Sequence, residues 1–307
     1  MNTSRPGLTA TYIPGFTLQE VLYESTSRIV YGAQRAVDSE DVILKTLVAP
    51  YPLTEDVAEI RREFQICQRL QFDGAIRAHS LVPHGAGNLA IEMERFGISL
   101  AQLMAQRNRE PLPPAQFFSL AIRLAGILGQ LHEKNVVHKD IGPANVLIEP
   151  NSGELRLIDF GLSSELSRER QDVILSHRLE GSLPYISPEQ TGRMNRDLDY
   201  RSDYYSLGIS FFELLTGQLP FQANDPLEWV HHHISRPPPL AHKVNPAVPE
   251  SLSEIVGKLI AKNAEDRYQS TYGLIVDLER SRSSLEQVDL DAPFKTGRAD
   301  VSRRFQI

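Results

Sequence analysis

Three polar residues near the middle of the chain have the types and spacing needed for metal-assisted chemistry on a hydroxyl group. Asp140 follows His138 and Lys139, Asn145 comes next, and Asp159 opens an Asp-Phe-Gly tripeptide. A carboxylate and an amide oxygen side by side are hard ligands, and such ligands suit Mg²⁺. A second carboxylate a few residues away can orient an attacking hydroxyl and accept its proton.

A predicted hairpin would bring these residues together. The segments VLIE (146–149) and LRLI (155–158) flank the turn Pro-Asn-Ser-Gly, which is typical of two antiparallel strands. Because such a hairpin places the start of one strand beside the end of the other, Asn145 and Asp159 are expected to be neighbours. Each motif alone is common in turns. Their order and the hairpin spacing together favour a single site that includes Asp140.

Two further charged residues occupy positions with a buried pattern. Lys45 lies within the apolar segment 42–48, and Glu63 lies beside Ile60 and Cys67 on the apolar face of a predicted helix. A lone buried charge is costly unless it is paired. We therefore expect Lys45 and Glu63 to be partners, with two solvated charges at the edges of their elements as the alternative.

The elements that must position these residues divide the chain into a small β-rich part and a larger helical part. After Gly97 the pattern changes from short strands to long apolar helices. This order of elements predicts the α+β class. Strands are predicted at 16–22, 29–36, 42–48, 76–82 and 88–94, and helices from Thr54, over 113–131 and 203–216, and near 251–262 and 269–284.

Composition excludes several classes of protein. The net charge of −7 argues against a dedicated nucleic-acid binder. The single cysteine, Cys67, allows no intrachain disulfide and suits a reducing compartment. No segment reaches the roughly 20 apolar residues that span a bilayer, and the first residues lack the apolar core of a secretory signal. The sequence therefore predicts a cytoplasmic protein with no nucleic-acid partner and no membrane segment.

Three motifs resemble the signature set of eukaryotic-type serine/threonine protein kinases, and the register holds over residues 12–284. They are His-Lys-Asp (138–140) with Asn145, Asp-Phe-Gly (159–161) and Ser-Pro-Glu (187–189). The resemblance implies a bilobal protein-kinase fold, with a small antiparallel β-rich N-lobe that carries one helix and a larger, mainly helical C-lobe. The implied boundaries are an N-terminal extension at 1–11, the N-lobe at 12–96, the C-lobe at 97–285 and a tail or linker at 286–307.

The resemblance also implies roles for individual residues. Lys45 matches the lysine that holds the α- and β-phosphates of ATP, and Glu63 matches its partner on the helix. Asp140 matches the catalytic aspartate, and Asn145 and Asp159 match the ligands of Mg²⁺. The other positions implied at the site are Ser25, Arg28 and Val30 over the phosphates, Met93, Glu94 and Phe96 in the hinge against adenine, and Ser182 near the catalytic aspartate.

Supporting contacts and the substrate class follow from the same resemblance. Asp203 resembles the aspartate that holds the catalytic loop, and Glu189 and Arg267 resemble an ion pair of the larger lobe. Ser182 and Pro143 are more similar to serine/threonine kinases than to tyrosine kinases. The implied reaction is transfer of the γ-phosphoryl group of ATP to a serine or threonine of a protein substrate.

Several positions depart from the family's pattern. The glycine positions of the phosphate-covering loop hold Tyr23, Ser25 and Arg28, although glycines let backbone amides approach phosphate closely. Gly142 stands where the family has a lysine at the transferred phosphate, and Lys139 replaces an arginine. Two hypotheses therefore stay open. The chain is an active kinase of reduced activity, or it is a pseudokinase that acts as a nucleotide-binding or scaffolding regulatory module.

A narrower resemblance concerns the context of the chain. The segments SPEQTGRMNRDLDYRSDYYSLG and DPLEWVHHHI are similar to the N-terminal kinase domains of large bacterial signalling proteins. In those proteins an ATPase module, a sensor and often a histidine kinase follow, so the resemblance implies downstream domains as partners. The tail at 286–307, which shows no folded element of its own, resembles the linker into such an ATPase, with a frayed terminus as the alternative. Consecutive helical residues point in different directions, so the three histidines 231–233 are interpreted as a half-exposed helix face and not as a metal site.

Overall fold

The computed structural model describes residues 11–165, 181–193, 198–286 and 294–300, and the chain divides into two compact units. The first unit comprises residues 1–97 with 156–161, and the second comprises 98–155 with 162–307. Residues 166–180, between the Asp-Phe-Gly and Ser-Pro-Glu motifs, lie outside the described residues, as does the predicted extension up to residue 10.

A five-stranded antiparallel sheet and one helix build the first unit. The helix, α1 (Thr54–Arg69), packs against the last two strands of the sheet. The order of strands is β1-β2-β3-β5-β4, and every boundary lies within two residues of the sequence prediction. The strands are β1 (Phe16–Glu24), β2 (Arg28–Arg35), β3 (Asp41–Leu47), β4 (Ala78–His84) and β5 (Asn88–Glu94).

The central strand β3 separates an apolar core from the side that carries Lys45. Val42 and Leu44 belong to a fully buried cluster with Tyr31 and other residues of β2. Because alternate residues of a strand face opposite sides of the sheet, Lys45 points away from that cluster. Its side chain reaches α1 instead, so one strand contributes both to the core and to the site.

Helices dominate the second unit. The longest, α3, begins with proline at its first position, where the missing backbone N–H costs no helical hydrogen bond. Helix α4 is buried almost throughout and ends at Gly217, whose φ of 74° is the left-handed conformation that glycine adopts readily. The helices are α2 (Leu100–Gln106), α3 (Pro114–Glu133), α4 (Arg201–Thr216), α5 (Pro226–Ser235), α6 (Ala241–Val244), α7 (Glu250–Leu259) and α8 (Thr271–Glu286).

Short strands connect these helices and form the predicted hairpin. The backbone N–H of Glu149 donates to the carbonyl of Glu154 at 2.9 Å, which closes the turn. Strand β9 (Leu155–Leu157) begins in the second unit and ends in the first. Asp159 belongs to the first unit, which includes residues 156–161. The short strands are β6 (Ile98–Ser99), β7 (Val136–Val137), β8 (Val146–Ile148), β9 (Leu155–Leu157) and β10 (Ser164–Glu165).

The described part of the tail, residues 294–300, forms a turn with no helix or strand and packs on the second unit. The Asp300 carboxylate accepts hydrogen bonds of 2.9–3.1 Å from the backbone N–H groups of Gln269 and Ser270 and from the Ser270 hydroxyl. The Gly297 N–H donates to Asp277 on α8 at 2.6 Å. Residues 294–300 are therefore docked beside the start of α8.

The histidines of α5 also differ from the prediction. His231 is exposed, whereas His232 and His233 are buried. The interpretation as a half-exposed face is wrong for these two residues, because Phe221 packs against both rings. Within the described ranges, no helix has the length and apolar character needed to cross a membrane.

Candidate active site

A buried lysine joins two carboxylates in the first unit. Lys45 Nζ donates to Glu63 Oε1 and to Asp159 Oδ1, in both cases at 2.7 Å. Lys45 and Glu63 are buried, while 43% of the Asp159 side chain is exposed. Burial works against the charge of Lys45, but the carboxylates of Glu63 and Asp159 outweigh it and raise the pKa of the lysine. The ammonium group therefore stays protonated at neutral pH.

The turn between β1 and β2 is closed by a serine side chain. Ser25 Oγ accepts hydrogen bonds from the backbone N–H groups of Ser27 at 3.4 Å and Arg28 at 3.0 Å. These two amides are therefore occupied within the turn. Arg28 Nη2 donates to Glu59 Oε2 on α1 at 2.7 Å, so the arginine side chain is directed towards this helix. Val30 lies directly opposite Lys45 in the sheet.

Two hydrogen bonds to the backbone of Arg77 hold the end of β5. The Glu94 N–H donates to the carbonyl of Arg77 at 3.0 Å, and the Glu94 carboxylate accepts from the Arg77 N–H at 2.9 Å. The guanidinium of Arg156 lies 4.5 Å from the centre of the Phe96 ring, within the range of a cation–π contact. With Met93 buried, the segment implied to contact adenine is fixed.

In the second unit, Asp140 is held by two donors. Asp140 Oδ1 accepts from the backbone N–H of Ser182, and Oδ2 accepts from Asn145 Nδ2, each at 2.8 Å. Asn145 Nδ2 also donates to the Asp140 carbonyl at 2.9 Å. Both bonds from Asn145 use its amide nitrogen and neither uses its amide oxygen, an atom with the chemistry of a metal ligand.

Asp203, at the start of α4, supports the loop that carries Asp140. It accepts hydrogen bonds from the backbone N–H groups of His138 at 2.9 Å and Lys139 at 2.8 Å, and it bonds to the His132 ring at 2.8 Å. Burial alone would raise the pKa of Asp203, but the hydrogen bonds and nearby histidines lower it. The backbone at Lys139 has a φ of 69°, a strained conformation for a residue with a side chain, and such strain is common at functional sites.

The segment that carries the Ser-Pro-Glu motif is bonded to the loop that carries Asp140. Gln190 Nε2 donates to the Lys139 carbonyl at 2.7 Å. Arg267 donates two hydrogen bonds to the Glu189 carboxylate, at 2.6 and 2.8 Å, and Ser202 donates a third at 2.7 Å. Burial raises the pKa of Glu189, yet the guanidinium outweighs it and the net pKa is lowered. The ion pair that the resemblance implied is therefore present.

Several supporting residues were missed in the sequence. His132 lies in the last turn of α3, where nothing in its spacing marks it as a partner of Asp203. Gln190 directly follows the Ser-Pro-Glu motif, and this position could have indicated that it is a supporting residue. Tyr185 packs beside Gly142, and a Cβ at Gly142 would lie 3.5 Å from the tyrosine ring, an ordinary contact. Among the described residues, no group of three or more His, Cys, Asp or Glu side chains is gathered to hold a metal ion.

Comparisons with known proteins identify the family and the fold. The family model described as "Protein kinase domain" matches residues 19–274. The chain is 28% identical over 253 residues to serine/threonine-protein kinase PrkC of Bacillus subtilis, covering 81% of this chain and 38% of that protein. It is 29% identical over 269 residues to serine/threonine-protein kinase PknL of Mycobacterium bovis, covering 87% and 65%.

Two other matches are to a longer signalling protein and to a solved structure of the same fold. Hybrid signal transduction histidine kinase G of Dictyostelium discoideum is 33% identical over 239 residues, which cover 56% of this chain and 7% of that protein. The crystal structure of the PknI kinase domain of Mycobacterium tuberculosis aligns with a TM-score of 0.65 at 25% identity, covering 88% of this chain and 97% of that one.

These matches confirm the predicted protein-kinase fold and the resemblance to bacterial serine/threonine kinases. The family uses ATP together with a divalent metal ion. The chain spans between 7% and 65% of the length of the three curated relatives.

Proposed function

We propose that this chain, which belongs to the protein kinase domain family, transfers the γ-phosphoryl group of ATP to serine or threonine hydroxyls of a protein. The observation that carries the proposal is the bonding of Lys45 to both Glu63 and Asp159, at 2.7 Å each. Phosphoryl transfer depends on fixed charges, because negative charge is spread over the phosphate oxygens in the transition state. A paired lysine that stays protonated supplies such a charge.

We assign the reacting proton to Asp140. The substrate hydroxyl oxygen forms a bond to the γ-phosphorus while the bond from that phosphorus to the leaving oxygen of ADP breaks. The hydroxyl proton passes to the Asp140 carboxylate, which Ser182 and Asn145 hold at 2.8 Å each. This arrangement supports general-base positioning, since the carboxylate cannot rotate without losing a hydrogen bond.

We further propose that the divalent metal is Mg²⁺ and that Asn145 and Asp159 each offer it an oxygen. Their carboxylate and amide oxygens are the hard donors that Mg²⁺ prefers, and the Asp159 side chain is 43% exposed. The ion would neutralise charge on the phosphates. The residues proposed at the nucleotide are Lys45, Ser25, Arg28 and Val30 for the phosphate end and Met93, Glu94 and Phe96 for adenine.

The proposal extends to partners and location. The substrate is a protein with a serine or threonine acceptor, and the chain operates in the cytoplasm, where ATP is available. Because the chain covers 7% of a hybrid histidine kinase relative, we propose that further domains follow it in a longer signalling protein.

A regulatory module without transfer activity is the second candidate. Two observations favour it. The amides of Ser27 and Arg28 are occupied by Ser25 Oγ, and Gly142 offers no cation. In this case the chain would bind nucleotide and a partner without transferring phosphate.

Incubation with γ-labelled ATP and Mg²⁺, with and without a generic basic acceptor protein, separates the candidates. We expect label on protein with the wild type and less than about 1% of it with Asp140→Asn. Asp73→Asn, which changes a side chain that is 87% exposed, serves as the matched control and keeps full labelling. Nucleotide binding without label in any variant would support the regulatory module and contradict the kinase.

A further inference from the structure

A line of hydrogen bonds runs from a half-buried lysine to the backbone next to Ser182. His233 on α5 bonds through Nε2 to the Leu183 carbonyl and through Nδ1 to the Tyr205 hydroxyl, each at 2.9 Å. Lys262 Nζ lies 3.3 Å from the same hydroxyl oxygen and 3.0 Å from the His232 carbonyl. We call Lys262, Tyr205, His233 and Leu183 the His233 relay.

The chemistry of the groups fixes the direction of the relay. A carbonyl only accepts, so His233 Nε2 must carry the hydrogen that Leu183 receives. In the neutral ring Nδ1 then accepts from the Tyr205 O–H, and the tyrosine oxygen accepts from Lys262. Burial, with a smaller effect of the Lys262 charge, lowers the pKa of His233 to about 4, so the ring is neutral at physiological pH. The hydrogen bonds of the relay therefore all run in one direction, from Lys262 towards Leu183.

Aromatic packing keeps the imidazole ring in place. Trp229 stacks on His233 with ring centres 5.8 Å apart and an angle of 19° between the planes. Phe221 and Tyr205 meet the ring edge-on, each at 5.6 Å. The ring is fully buried, so it cannot rotate without displacing these neighbours. The position of Nε2, and with it the position of the Leu183 carbonyl, is therefore set by the core of the second unit.

The relay ends one residue from Ser182, whose backbone amide bonds to the proposed base Asp140. The N–H of Ser182, the residue before Leu183, donates to Asp140 Oδ1 at 2.8 Å. The Ser182 carbonyl accepts from the Tyr185 N–H at 2.8 Å, which closes a turn around Leu183. Each peptide plane is rigid, and the turn closed by the Tyr185 N–H limits the φ and ψ angles between planes, so holding the Leu183 carbonyl restrains the Ser182 amide two peptide planes away. His233 thus acts on Asp140 through a short stretch of backbone.

We propose that His233 is a positioning residue for phosphoryl transfer to protein substrates. It holds the segment Gly181–Tyr185 and, through the Ser182 amide, the Asp140 carboxylate. The inference rests on the proposed kinase function and adds a residue that none of the kinase motifs includes. If the role of His233 were purely structural, replacing it would lower stability but would affect the kinetic constants for the protein acceptor and for ATP alike.

Two amide variants form a matched pair that tests the hydrogen bond from His233 Nε2 to the Leu183 carbonyl. In His233→Gln the side-chain amide can reach the position of Nε2 and donate to Leu183, whereas the shorter His233→Asn reaches only the position of Nδ1. Both variants remove the ring and its packing to a similar extent. His231→Asn, at an exposed position of the same helix, is the control for the substitution itself.

The first readout is steady-state kinetics with the labelled-ATP assay. We expect His233→Asn to lower kcat/KM for the acceptor protein about five- to tenfold, the worth of one hydrogen bond, while KM for ATP stays within about twofold. His233→Gln is expected to keep most of the wild-type kcat/KM, and His231→Asn to keep all of it. Equal losses in the Asn and Gln variants, or no loss in either, would overturn the proposal.

The second readout does not need activity. Hydrogen exchange of the Ser182 and Tyr185 amides is expected to be faster in His233→Asn than in the wild type and in His233→Gln. Equal exchange in all three would overturn the positioning role even if the wild type transferred no phosphate, an outcome that would separately contradict the kinase. If His233→Asn does not fold, Tyr205→Phe is used instead, because it removes the hydroxyl that orients Nδ1. We expect it to lower kcat/KM for the acceptor protein by a smaller factor, again with little change in KM for ATP.

Discussion

Lys45 and Asp159 are 114 positions apart in the chain, yet Lys45 Nζ lies 2.7 Å from Asp159 Oδ1. The same ammonium bonds to Glu63, which places a strand residue, a helix residue and the first residue of the Asp-Phe-Gly tripeptide around one charge. Only Asp159 of the three has a substantially exposed side chain. We therefore expect the pair of Lys45 and Glu63 to stabilise the fold as well as to serve the proposed reaction.

Removing Lys45 alone should destabilise the protein, because Glu63 is left buried without a partner. We expect Lys45→Met to lower the free energy of unfolding by about 3–5 kcal/mol. Lys45→Met combined with Glu63→Leu should recover most of that loss, since an apolar pair of similar volume needs no desolvation of charge. Urea unfolding measures both. Neither variant should transfer phosphate, and equal stability of the single and double variants would contradict the buried pair.

Arg28 should contribute to phosphate binding, because Ser25 Oγ already occupies the amides of Ser27 and Arg28. We expect Arg28→Gln to weaken binding of ATP about tenfold and to leave binding of adenosine unchanged. Arg62→Gln, which changes an exposed arginine of α1, is the control. Calorimetric titration with both ligands measures the difference. A similar loss for adenosine and ATP would show that Arg28 acts on the fold of the turn and not on phosphate.

A cation introduced at position 142 should raise the rate. A Cβ at Gly142 would make only an ordinary contact with the Tyr185 ring, so a side chain can start at this position without a backbone shift. We expect Gly142→Lys to increase kcat about tenfold by stabilising charge on the transferred phosphate. Gly142→Gln has similar length without charge and should leave kcat near the wild-type value. If Lys and Gln behave alike, the missing charge does not limit the reaction.

The stability of the protein should fall on acidification because of His233. The pKa of His233 is about 4 in the folded protein and near 6.5 in the unfolded chain. Between these values the unfolded chain binds a proton that the folded protein does not, so the free energy of unfolding decreases as pH falls from 6.5 to 4, by up to about 3 kcal/mol. Above pH 6.5 both states are neutral at this site, and the contribution is constant.

Comparison with His233→Gln isolates this effect. Both proteins share every other titrating group, including buried His84, whose pKa is also lowered. Unfolding in urea at pH 7, 6, 5 and 4 should show a steeper loss for the wild type than for the variant. Parallel curves would mean that His233 takes up its proton equally in the folded and unfolded states.

Much of this site was predictable because its signals are local. Lys45 within an apolar strand and Glu63 on an apolar helix face each carry a charge in a buried pattern, and burial of two opposite charges implies pairing. The hairpin between Asn145 and Asp159 is marked by its turn residues. In both cases neighbouring residues in the sequence carry the information.

The parts that could not be predicted depend on contacts between distant segments. Asp300 binds the backbone just before α8, and a Cβ at Gly273 would lie 2.6 Å from its carboxylate, but neither residue is part of a periodic pattern. His232 and His233 are buried because Phe221 and Trp229 cover them. Helical spacing alone does not distinguish such histidines from an exposed face.

The most direct test of the account is to map phosphorylated residues on an acceptor protein after incubation with ATP and Mg²⁺, for the wild type and Asp140→Asn in parallel. The account predicts phosphoserine or phosphothreonine with the wild type and less than about 1% of it with Asp140→Asn. Equal phosphorylation by both proteins would contradict the role of Asp140. Binding of ATP by a wild type that produces no phosphorylated residue would contradict the kinase proposal itself.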